Sequence, residues 1–70
     1  MAFQVERQRS SKAVLKRWLH ANAAARHGRR LPVVVLNGDG FPGNLLLIHE
    51  VDLAAIAEQA AELMVALNAN

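Results

Sequence analysis

Between Val14 and Ala25 the residues follow a helical period: Val14, Leu15, Trp18, Leu19, Asn22 and Ala25 fall at i, i+1, i+4, i+5, i+8 and i+11 on one face, apolar except for Asn22. Ser10 or Ser11 can cap this helix, since a hydroxyl just before the first turn accepts from an amide that has no partner inside the helix. The helix is expected to stop at Gly28, a residue that takes the left-handed C′ conformation without steric cost. Arg26 and His27 put positive charge at the negative end of the macrodipole. Ahead of it, Phe3 to Gln8 alternate weakly between apolar and polar, which suits a short strand or an extended arm.

After Gly28 the period changes. Leu31-Pro32-Val33-Val34-Val35-Leu36 is rich in β-branched residues and tolerates Pro32 near its start, so a buried strand is predicted. Asn37 to Asn44 concentrates Asn, Asp, Gly and Pro, with Pro42-Gly43 suited to the centre of a type II turn. Leu45 to Ile48 then resumes as a second strand, giving a β-hairpin. Asp52 is expected to cap a second helix, with Val51 and Ile56 in hydrophobic-staple positions. Leu53, Ile56, Ala57, Ala60, Leu63, Met64 and Leu67 would form its core stripe. The pattern predicts a small α+β domain: an arm or short strand over residues 1–9, then a single α-β-β-α unit over residues 10–70.

Both hairpin strands are apolar at every position, and successive side chains point to opposite faces, so both faces call for cover. Two helices can blanket one face; a two-stranded hairpin cannot shield the other. A C2 homodimer is therefore expected, with Val34, Leu36, Leu46 and Ile48 of the hairpin and Val65 of the second helix at its interface. Size argues the same way. A 70-residue chain buries only about 60% of its unfolded surface, and without cysteines it has no disulfide or cysteine-based zinc site to help it. No apolar run approaches the roughly 20 residues that span a bilayer, and the first residues carry no signal-like pattern, so a cytoplasmic protein with no membrane partner is expected.

The net charge of +2 conceals a division. All eight Lys and Arg lie between Arg7 and Arg30; with Glu6 they give the first thirty residues a formal +7, while the five acids of residues 31–70 give −5. Such asymmetry points to nucleic acid or an acidic partner, or else to the basic helix packing against the acidic one. Lys12, Lys16 and His20 line one helical flank, with Arg9 just ahead and Arg17 beside it; Arg26, Arg29 and Arg30 cluster at the far end. Arg9, Lys12, Lys16, Arg17, Arg26, Arg29 and Arg30 are thus the candidate phosphate contacts. Few Asn or Gln and no Tyr accompany them, so neither a base code nor stacking is visible and the expected binding is non-specific.

Other motifs carry less. Gly38-Asp39-Gly40-Phe41-Pro42-Gly43 spells G-x-G-x-x-G, but it leads into a strand rather than a helix, and Pro42 removes an amide donor. Asn37, Asp39 and Asn44 are too few carboxylates for a calcium loop. His20 and His27 lie about 10 Å apart by helix rise, too far to chelate one ion together. His49-Glu50 could be an acid/base pair, but no nucleophile is near it in sequence. No catalytic residue, metal site or cofactor is expected.

The Ala-rich first helix with Arg26-His27-Gly28-Arg29, then Leu31-Pro32-Val33-Val34-Val35, a Gly/Pro turn, Leu45-Leu46-Leu47-Ile48 and Asp52-Leu53 resembles the C-terminal half of small phage-type PD-(D/E)xK nucleases, a superfamily that includes Holliday-junction resolvases. The resemblance covers Trp18 to Ile56, just over half of the chain. It implies a catalytic strand at Val5-Glu6-Arg7-Gln8, with Glu6 at the family's Glu; Gln8 then stands where the family has Lys, and its upstream Asp has no counterpart here. What it implies is a nuclease-derived half-domain without the metal site. Together these readings predict a non-catalytic nucleic-acid-associated accessory module of phage or mobile-element type. The alternative is an interaction or inhibitor module that meets a partner protein through the apolar hairpin and acidic second helix.

Overall fold

Ser11 starts the first helix. In the computed structural model, which describes residues 2–69, α1 runs from Lys12 to His27, and the Ser11 hydroxyl oxygen accepts a hydrogen bond from the Val14 amide at 3.2 Å. Residues 2–11 are exposed and form no strand, so Phe3 to Gln8 is an arm. At its other end α1 closes in a Schellman motif, the Arg30 amide donating to the Ala25 carbonyl at 2.8 Å and the Arg29 amide to the Arg26 carbonyl at 3.1 Å. The left-handed residue is Arg29, at φ 56°, while Gly28 sits at φ −88°. The expected glycine cap is therefore displaced by one position. Glycine occupies the C-cap, and an arginine takes the conformation that costs an L-residue roughly 1 kcal/mol or more.

The hairpin joins β1 (Val34–Leu36) to β2 (Leu45–Leu47), antiparallel, with Val34 opposite Leu47, Val35 opposite Leu46 and Leu36 opposite Leu45. Its hydrogen-bonded turn is not the predicted one. The Phe41 amide donates to the Gly38 carbonyl at 3.1 Å, so Asp39 and Gly40 are central, and Gly40 at φ 77° fills the place where only glycine turns freely. Gly43 also adopts φ 77°, but Pro42-Gly43 makes only a bend.

Glu50–Asp52 forms a 3₁₀ turn, capped by His49, whose Nδ1 accepts from the Val51 amide at 3.1 Å. The turn leaves Val51 exposed, so the expected staple with Ile56 is not made. Asp52 precedes α2 (Leu53–Glu58), yet its carboxylate makes no capping bond. The second helix is also two: α3 (Ala60–Leu67) follows a break at Gln59, φ −111° and ψ 24°. The Gln59 amide bonds back to Ile56 at 3.1 Å, overwinding the end of α2; with neither Pro nor Gly nearby, no sequence feature explains the break.

The result is a small α+β domain with little interior. α1 lies against β1 and half-buries Val14, Trp18, Ala21, Asn22 and Ala25; Leu15 and Leu19, from the same predicted face, stand exposed. In the second half Ala55, Ile56, Leu63 and Leu67 are half-buried, whereas Leu53, Ala57, Ala60 and Met64 of the predicted core stripe are exposed. Pro32 and Val34 are the buried apolar residues among those described. The register decides which hairpin residues reach them. Val34 shares a face with Leu47 and is 9% exposed, while Val35 and Leu46 share the opposite face at 41% and 43%. The expected interface set is thus split: Val34 and Leu36 belong to the inner face and Leu46 to the outer one, Ile48 lies just past β2, half-buried beside Val14 and Trp18 of α1, and Val65 is exposed on α3.

Candidate nucleic-acid interface

The basic residues of the first thirty positions separate into two clusters. Ala13, Lys16, Arg17 and His20 line a shallow concavity of about 390 Å³ on α1, and Lys12 lies one turn before Lys16. Arg9 sits upstream in the exposed arm. Arg29 and Arg30 lie beyond the other end of the helix, roughly 20 Å from Lys12 by helix rise. There they line a groove of about 440 Å³ together with apolar Leu31, Val33, Ile56 and Leu63 and with polar Gln59 and Glu62.

Arg26 is committed elsewhere. Its Nη2 donates to both Asp52 carboxylate oxygens, at 2.8 and 3.1 Å, and its Nε donates to Asn22 Oδ1 at 3.1 Å. This is the one ion pair among the described residues, and it joins the last turn of α1 to the start of α2. The network also accounts for a polar Asn22 on the packing face. Sequence reasoning placed Arg26 with the phosphate contacts because nothing local distinguishes it from Arg29 or Arg30; its partner is 26 residues away.

Elsewhere on α1 the charge is unbalanced. The first turn contains no acidic residue, Lys12 stands at the positive end of the macrodipole, and Lys12 and Lys16 are like charges four apart. Each of the latter two arrangements costs a helix a few tenths of a kcal/mol. An anion bound along this flank would relieve both. Trp18 belongs to the other side of the helix, its ring 6.2 Å from that of His49 and tilted by 37°, so it is not presented for stacking on a base. Among the described residues, no three His, Cys, Asp or Glu side chains gather as a metal site would require, and no helix is long and apolar enough to cross a membrane.

Fold and surface together define a small α+β domain with one basic helix flank. Comparison with family models, curated proteins and solved structures yields no significant match.

Proposed function

We propose that the chain is a non-catalytic accessory module that docks on nucleic acid through the Lys12, Lys16, Arg17 and His20 flank of α1. The observation that carries this reading is a row of cations without ion pairs among the described residues on an exposed, well-capped helix, present despite the electrostatic cost of placing them there. The sequence resemblance to the C-terminal half of PD-(D/E)xK nucleases points to the same setting through residues 18–56 alone, because the catalytic strand it implies at Val5–Gln8 is not formed. Binding of this kind is to the phosphate backbone and independent of sequence.

The test is fluorescence anisotropy with a short labelled DNA duplex at two salt concentrations. Three phosphate contacts give a slope of about −2.7 in log K against log salt, or roughly a 40-fold loss between 50 and 200 mM. Lys12→Glu, Lys16→Glu and Arg17→Glu together should abolish binding while leaving the far-UV circular dichroism unchanged. Affinity that survives this triple reversal, or that ignores salt, refutes the reading.

A further inference from the structure

The outer face of the hairpin is only partly covered. Val35 and Leu46 stand opposite each other at its centre, 41% and 43% exposed, and at one end Val33 meets Ile56 and Leu63 across the groove described above. The surface area shows that the chain as a whole lacks cover. The chain exposes 6605 Å², against about 4,300 Å² for a compact monomer of its mass. The extended arm accounts for at most about 1,600 Å², so the folded part exposes on the order of 1,000 Å² more than a closed monomer would. One partner's share of an obligate homodimer interface is about 1,000 Å² or more.

We propose that this outer face, centred on Val35 and Leu46, seats a second copy of the chain in a two-fold homodimer. Two further features favour a second copy over a different protein. The paired strand residues carry no ionisable side chain, and Arg29, Arg30 and Glu62 stand away at the groove end, so a two-fold axis through Val35 and Leu46 sets no like charges directly against each other. The basic first thirty residues and the acidic remainder are joined by only one internal ion pair among the described residues, so each copy has charge of both signs to offer the other. A uniformly basic or acidic partner would match one half and repel the other. The proposal is independent of the nucleic-acid reading.

Because the chain has no cysteine, a single introduced thiol reports proximity directly. Leu46→Cys should cross-link into a covalent dimer under mild oxidation, and Lys16→Cys, on the basic flank of α1, should not. Sedimentation equilibrium of the unmodified chain should give twice 7.6 kDa, with a melting temperature that rises with protein concentration. Leu46→Lys should lower the mass or abolish the concentration dependence. A 7.6 kDa particle at the highest attainable concentration, with melting independent of concentration, overturns the proposal and leaves the face to another protein. Cross-linking at Lys16→Cys as fast as at Leu46→Cys overturns it equally.

Discussion

Replacing Arg26 by alanine tests whether this residue holds the fold or waits for a ligand. The Asp52 side chain is 9% exposed and receives both Nη2 bonds; without Arg26 its carboxylate is left in a nearly dry site with no other partner among the described residues. Breaking a fully buried ion pair costs about 3–5 kcal/mol. Arg26 is itself 46% exposed, so water screens the pair, and a loss of about 1–2 kcal/mol is the appropriate expectation. A domain of this size has a total stability of only roughly 4–10 kcal/mol, and each kcal/mol moves its melting temperature by about 4–8 °C. Arg26→Ala should therefore melt about 5–15 °C lower, followed by circular dichroism and by the fluorescence of Trp18, the only tryptophan. Adding Asp52→Asn removes the stranded charge, so the double variant should lose less than the sum of the two single losses, by about 1 kcal/mol. Additive losses, or an Arg26→Ala loss below about 0.3 kcal/mol, would refute the structural role assigned to the pair.

Four further outcomes are expected. Gly28→Ala should be neutral or stabilise by up to about 1 kcal/mol, because Gly28 has an ordinary φ and the nearest atom to an added Cβ is 3.6 Å away. Arg29→Gly should stabilise by about 0.5–1 kcal/mol by relieving the left-handed arginine; urea titration reads both signs, and a loss at Gly28→Ala would return the left-handed position to glycine. Ser11→Ala should cost about 1 kcal/mol by removing the cap on Val14, seen as lower helicity and a lower denaturation midpoint. His49→Ala should release the Val51 amide and alter the Trp18 emission, whereas His49→Asn, which keeps an acceptor, should restore stability; equal losses in both variants would rule out the capping role.

What the sequence by itself determined lies within a few residues of each signal. Ser11 caps α1 because a hydroxyl at that position meets an amide three residues on, and Asn37 to Asn44 must turn because their backbone preferences allow little else. The first helix, the hairpin, a helical second half and the α+β class follow from such local chemistry and from the change of period after Gly28, but the break at Gln59 does not. The displaced C-cap shows the limit of this resolution: Gly28 and Arg29 differ by one residue, and the Schellman bonds to Ala25 and Arg26 choose between them.

Tertiary structure decided which surfaces face inward. Periodicity marks Leu15 and Leu19 as apolar alongside Val14 and Trp18, but only contact with the hairpin selects the narrower strip that is covered. Apolar strands with no polar alternation give no clue to their inner face, and the register pairing Val34 with Leu47 and Val35 with Leu46 settles it. Arg26 was set apart from the other arginines in the same way, by a carboxylate 26 residues distant that the fold brings to 2.8 Å. Burial and ion pairing depend on approaches between distant segments, whereas caps and turns are written in neighbouring residues.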